Sequence, residues 1–144
     1  PSPNGSSICF GLVDSGLTVI GACLRNRAAV ARWLGPRLAA GDRVAVVAAG
    51  ERWPDGSLRP GVEDLWGAGA VLAALDLTEA SPEAGQAALA FDAVRHRLAG
   101  DLRACASGAE LVAGGFGDDV EIAARLDACD VVPVLRDGGF RCTK

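Results

Sequence analysis

The sequence of 144 residues lacks the patterns that mark several large classes of protein. It has neither the GxGxxG pattern of dinucleotide binding nor the GxxxxGK[ST] pattern of a P-loop. No run of Lys and Arg stands out and Lys144 is the only lysine, which argues against nucleic acid and acidic membranes as partners. No apolar run approaches the ~20 residues of a membrane span. No charged segment followed by an apolar stretch opens the chain, so no signal peptide is predicted.

The five cysteines are an odd number, and no two of them have CxxC spacing. A zinc cage or a disulfide framework is therefore not predicted, and we expect free thiols in a soluble, cytoplasmic protein. His96 is the single histidine and has no evident Cys or Ser partner in the sequence. We therefore expect a surface histidine rather than a member of a catalytic triad.

Half of the residues are apolar and the net charge is −4, which suits the core of one compact domain. Helical spacing of apolar residues predicts helices near residues 6–13, 24–38, 61–75, 81–98, 107–114 and 118–126. Apolar, β-branched runs without alternation predict strands at 18–22, 44–48 and 131–135. Strands that alternate with helices predict an α/β fold with a mostly parallel sheet. Ligands bind beyond the carboxyl ends of the strands in such folds.

Two polar segments fall where this rule places a ligand. Glu51 and Arg52 follow the second predicted strand, where Arg can hold a phosphate and Glu can bind Mg²⁺ through its oxygens. The alternative is a solvated loop with a surface ion pair. Glu63 and Asp64 lie in the first turn of the next predicted helix. Paired carboxylates there can hold a metal or exchange protons, or they can simply complement the helix dipole.

Two further segments can supply polar groups. Asn4, Gly5 and Ser6 lead into the first predicted helix, whose free backbone N–H groups suit an anion. A plain turn and cap is the competing interpretation. Asn26 lies on the helix after the first predicted strand. It is a polar ligand, a helix cap or a solvated surface residue.

Taken in order along the chain, these segments resemble the landmarks of the 2-phosphosulfolactate phosphatase family. The ordered set carries the resemblance, and it covers essentially the whole chain. The landmarks are Pro3-Asn4-Gly5-Ser6, Leu24-Arg25-Asn26, residues 49–53, residues 58–64 with Gly67-Ala68-Gly69, residues 107–111, Asp119-Val120 and Val132-Pro133-Val134.

The resemblance implies Mg²⁺-dependent hydrolysis of 2-phosphosulfolactate to sulfolactate and phosphate, a step that serves coenzyme M synthesis in methane-forming organisms. It also implies a three-layer α/β/α sandwich, with a further strand upstream of Pro1 that ends in an Asp-Val-Leu-Arg-like motif. We therefore expect residues 1–144 to be a single α/β domain, the C-terminal part of a longer phosphatase domain.

The leading hypothesis is a Mg²⁺-dependent phosphatase that acts on a small acidic phosphomonoester. The candidate catalytic carboxylates are Glu51, Glu63 and Asp64, with Glu63 and Asp64 as metal ligands. The candidate substrate-binding residues are Asn4, Gly5, Ser6, Asn26 and Arg52. The alternative hypothesis is a non-catalytic module that binds a small anion or a partner protein on the same scaffold. Formation of a homo-oligomer is left open.

Overall fold

The computed structural model of the protein describes residues 4–143. Within them the chain forms seven α-helices, one 3-10 helix and four strands. The α-helices are α1 (Gly5–Gly11), α2 (Arg27–Ala39), α3 (Val62–Leu72), α4 (Pro82–Val94), α5 (Leu98–Ala104), α6 (Ala106–Ala113) and α7 (Gly117–Ala123). The 3-10 helix is Leu24–Asn26, and the strands are β1 (Glu51–Arg52), β2 (Leu58–Arg59), β3 (Val132–Arg136) and β4 (Gly139–Thr143). None of these helices has the length and apolarity needed to span a bilayer.

Helix α3 packs tightly against α4 at a glycine. A Cβ atom on Gly69 would lie 2.0 Å from the carbonyl oxygen of Ala87 and 3.0 Å from the Cβ of Phe91. Only glycine permits this approach of two helices. Helix α4 begins as its sequence predicts, with Pro82 in the first turn and the hydroxyl of Ser81 accepting the N–H of Ala84 at 3.3 Å.

Two apolar clusters form the core, and α3 contributes to both through the neighbouring residues Ala70 and Val71. The first cluster comprises Leu24, Ala70, Phe91, Val94, Leu98, Leu102 and Val120. The second cluster comprises Ala29, Val30, Leu34, Val71, Val132 and Val134. Because buried side chains on two sides hold α3, the position of its N-terminus is fixed relative to both halves of the core.

The strands pair only as antiparallel neighbours among the described residues. Strands β1 and β2 form one pair, and β3 and β4 form the other. The free edge of β3 meets a single bridge from Ile20 to Val134, which is also antiparallel. The protein is therefore a mixed α/β chain with a large helical share.

The mostly parallel sheet predicted from the sequence is not formed within residues 4–143, and neither is a three-layer sandwich. Residues 18–22 make only the Ile20 bridge, and residues 44–48 have no regular structure. Val44 and Val47 of that second segment are exposed. The physical reason is that a buried parallel strand needs a hydrogen-bonded neighbour. Residues 44–48 have no strand neighbour in this part of the chain.

Candidate active site

A short hairpin carries the first part of the site. Glu51 of β1 lies opposite Arg59 of β2, and Arg52 lies opposite Leu58. Gly50 precedes the hairpin with φ +67°, and a Cβ there would lie 2.9 Å from Leu58 and 3.1 Å from the carbonyl oxygen of Arg59. Glycine at this position therefore permits both the left-handed backbone and the close approach of the second strand. The result is that Glu51 and Arg59 share one face of the hairpin.

The N-terminus of α3 carries two carboxylates that fold back over Gly61. A Cβ on Gly61 would lie 2.8 Å from Oδ2 of Asp64 and 2.9 Å from Oε1 of Glu63. Two carboxylate oxygens thus approach the same point, at the positive end of the helix dipole. Glycine before α3 leaves the space that both side chains use.

Asp64 links this helix end to the hairpin. Its side chain is half-buried, and burial raises the pKa of the Asp64 carboxyl above its usual value. The negative charges of Glu63 and Glu51 raise the pKa further, while a hydrogen bond from the backbone N–H of Gly50 opposes the rise. Asp64 is therefore near enough to both Glu63 and Glu51 for their charges to act on it, as the assignment of the three residues to one site requires.

Helix α1 brings a polar side chain to the same place. Asn4 is buried, and its side-chain N–H donates to Oε2 of Glu51. A Cβ on Gly5 would lie 3.8 Å from the Cβ of Ala49, in ordinary contact with the loop before β1. Ser6 follows at the second position of α1 and is half-buried. Pro3, the first residue of this predicted landmark, lies outside the described residues.

Arg59 is a cation of this site that the sequence reasoning did not single out. It donates to Glu110 of α6 through both terminal nitrogens, at 3.1 Å and 2.8 Å. These hydrogen bonds raise the pKa of the Arg59 guanidinium, and the charges of Glu110, Glu51 and Glu63 also raise it, against the effect of burial. Only the register of the hairpin in the structure reveals that Arg59 lies on the same face as Glu51.

The side chains of Arg52 and Asn26 bond to backbone groups rather than to these carboxylates. Arg52 alternates to the opposite face of β1 and donates to the carbonyl of Gly56 in the hairpin turn at 2.8 Å. Asn26 is buried, and its side chain accepts the N–H of Cys23 at 2.8 Å. The same amide donates to the carbonyls of Gly21 and Val131. The amide of Asn26 thus joins distant backbone segments.

An apolar cleft of about 410 Å³ adjoins the carboxylates. Its lining includes both glycines of the site, Gly50 and Gly61. The remaining lining residues are Ala48, Leu58, Pro60, Val62 and Leu65. Val62 and Leu65 lie in the first turn of α3, and both are exposed toward this cleft.

The donor chemistry of the site suits a cation that prefers oxygen ligands. Among residues 4–143 no group of three His, Cys, Asp or Glu side chains is arranged to hold a metal ion. Mg²⁺, however, is usually held by one or two carboxylates together with water and substrate phosphates. Glu63 and Asp64 supply two such carboxylates over Gly61, and a cation there would offset the repulsion that, together with burial, disfavours ionised Asp64.

The surroundings of the Cys105 thiol disfavour its nucleophilic thiolate form. Burial raises the pKa of the Cys105 thiol, and its contact with Glu63 adds to the rise, so the protonated form is favoured. His96 is exposed and accepts a hydrogen bond from Arg95 on its Nε2. The surface position predicted for His96 is confirmed.

Carboxylates, the buried amide of Asn4 and the guanidinium of Arg59 lie near the N-terminus of α3, and groups of these types can bind a phosphate ester or its cation. The comparison with known families makes this specific. The family model described as 2-phosphosulpholactate phosphatase matches residues 2–138. The chain belongs to this family, a family of phosphoric monoester hydrolases whose name indicates 2-phosphosulfolactate phosphatase activity.

Proposed function

We propose that the protein hydrolyses 2-phosphosulfolactate, or a similar small acidic phosphomonoester, in a Mg²⁺-dependent reaction at the Glu51, Glu63 and Asp64 cluster. The observation that carries this proposal is the approach of the Glu63 and Asp64 oxygens to one point over Gly61. Burial and the charges of Glu63 and Glu51 disfavour the ionised Asp64 carboxylate, and carboxylates perturbed in this way cluster at functional sites. Membership of the phosphatase family supports the same reaction.

In this proposal Glu63 and Asp64 would hold Mg²⁺, and the bound ion would polarise the phosphoryl oxygens. Glu51 orients the attacking water and accepts its proton. The water oxygen forms a bond to phosphorus as the bond from phosphorus to the ester oxygen breaks. The proton then passes from Glu51 to the departing alkoxide, which gives sulfolactate and inorganic phosphate.

The other residues of the site position these groups. Asn4 holds Glu51 through its hydrogen bond, and Gly5 and Ser6 line the adjoining start of α1. Arg52 is exposed and adds positive charge at the rim, which attracts an acidic ester. For Asn26 we propose an indirect role, because its amide already bonds three backbone groups that support the fold.

We further propose that the three-layer sandwich with a mostly parallel sheet forms in a longer phosphatase domain, of which this chain is the C-terminal part. Residues 44–48 support this, because they are all apolar, mostly exposed and include three valines, and such a segment suits a strand that has a hydrogen-bonded neighbour. If the idea is right, adding the upstream sequence of the gene should protect the amides of residues 44–48 from hydrogen exchange. Unchanged exchange would contradict it.

A phosphate-release assay tests the proposed reaction. The substrates are 2-phosphosulfolactate, other phosphorylated 2-hydroxy acids and a phosphate ester without an acid group, each with Mg²⁺ or with a chelator. We expect release from the acidic esters, loss of release with the chelator and recovery when Mg²⁺ is restored. Binding of these esters without turnover would support the non-catalytic module instead.

A further inference from the structure

The carboxylate of Glu110 binds Arg59 as the acid group of a ligand would. Two parallel hydrogen bonds join the guanidinium to one carboxylate, the geometry by which arginine binds the acid groups of ligands. The two residues differ in how firmly they are held. The Arg59 side chain is 17% exposed, whereas that of Glu110 is 64% exposed on α6.

Arg59 is held in place from the hairpin side. Its guanidinium carbon lies 5.0 Å from the ring centre of Trp53, and its backbone pairs with Glu51. Glu110 has no such support and reaches Arg59 from a separate helix. Because Glu110 is the exposed partner, a ligand anion can take its place and make the same two hydrogen bonds to Arg59. Such an anion would lie on the hairpin face that carries Glu51.

We propose that Arg59 binds the carboxylate or sulfonate end of the substrate, and that Glu110 is an internal competitor which the substrate displaces. The identity of the substrate rests on the proposed function, but the competition for Arg59 does not. Arg59 thus selects phosphate esters that carry a second acid group. Esters without this group leave Glu110 in place and bind without the two parallel hydrogen bonds.

Calorimetric titration with malonate, a small dicarboxylate, tests the competition without requiring turnover. Glu110→Gln should bind malonate about fivefold more tightly than the unsubstituted protein, because the carboxylate that competes for Arg59 is removed. Glu121→Gln is the matched control, since it removes one carboxylate from the exposed pair of Arg103 and Glu121. The control should bind malonate as the unsubstituted protein does.

The double variant Arg59→Gln/Glu110→Gln should lose the gain in malonate affinity. Three results would overturn the proposal: no gain in Glu110→Gln, an equal gain in Glu121→Gln, or a gain that survives in the double variant. In the unsubstituted protein, malonate should also shift the NMR resonance of the Arg59 side-chain N–H and leave that of Arg103 in place. The absence of this shift would count against the proposal even where a variant folds poorly.

Kinetics separate this inference from the proposed function. Glu110→Gln should lower KM for an acidic phosphate ester and leave kcat unchanged, whereas a structural role of the pair would lower the melting temperature and affect both constants. If no ester is hydrolysed by the unsubstituted protein, the proposed function fails, and the malonate titration still decides the role of Arg59.

Discussion

The buried side-chain amide of Asn4 donates to the carboxylate of Glu51, a residue 47 positions further along the chain. This contact joins the start of α1 to the hairpin that carries the site. Asn4→Ala should lower the free energy of unfolding by about 1.5–3 kcal/mol, as expected for a hydrogen bond to a charged group. Asn4→Asp should cost more at pH 7, because two carboxylates would then face each other. Urea unfolding measures both, and an Asp variant as stable as the unsubstituted protein would refute the contact.

The contact between α3 and α4 gives a prediction about packing. Gly69→Ala should destabilise the protein by about 1–3 kcal/mol or more, because the added methyl group meets the carbonyl of Ala87. Gly67→Ala in the same helix is the control, since a Cβ there has no neighbour within 4 Å. That control should be neutral or stabilising by up to ~1 kcal/mol. Equal effects of the two substitutions on urea unfolding would disprove the tight crossing.

Substitution of Asn26 tests whether its side chain supports the fold or binds the substrate. Asn26→Ala leaves the N–H of Cys23 and the carbonyls of Gly21 and Val131 without their partner, which should cost about 2–5 kcal/mol. At a temperature where the variant is still folded, KM for the phosphate ester should equal that of the unsubstituted protein. A stable variant with a raised KM would instead make Asn26 a substrate ligand.

The raised pKa of Asp64 predicts how stability depends on pH. Burial and the charge of Glu63 disfavour the ionised carboxylate in the folded state. The folded state is therefore most favoured while Asp64 is protonated, and stability is lost as pH rises from its ordinary pKa of 3.8 through the raised one. Asp64→Asn should raise the melting temperature at pH 7 by a few degrees, about the size expected for one such group.

The same comparison near pH 3 should show almost no difference, because Asp64 is then neutral in both the folded and unfolded states. The melting curves should be measured with a chelator, so that no cation offsets the repulsion between carboxylates. A difference that is independent of pH would mean that Asp64 is not perturbed in the folded protein.

Helices were the predictable part of this fold, because their signals are local. Ser81 and Pro82 predicted the start of α4 from two adjacent residues, and the structure confirms it. The second predicted helix, near residues 24–38, is found as α2, which continues through Pro36 to Ala39.

Strands were less predictable, because a strand exists only with a partner. Residues 44–48 have the composition of a buried strand, but their neighbour cannot be read from those five residues. Within the site, the sequence indicated all three carboxylates through their loop and helix positions. The sequence did not reveal that Arg59, rather than Arg52, shares a face with Glu51. Strands of two residues are too short to show the alternation of apolar and polar residues that marks the two faces.

The most direct test of the site compares Glu63→Gln with Glu83→Gln, each of which removes an acidic residue from the first turn of a helix. Each variant loses one negative charge that interacts favourably with the positive end of a helix dipole, but only Glu63 belongs to the carboxylate cluster. The measurement is Mg²⁺-dependent phosphate release from an acidic ester. We predict a loss of about 100-fold or more for Glu63→Gln and near-normal release for Glu83→Gln. Normal release by Glu63→Gln, or equal losses in both variants, would contradict the assignment of this cluster as the active site.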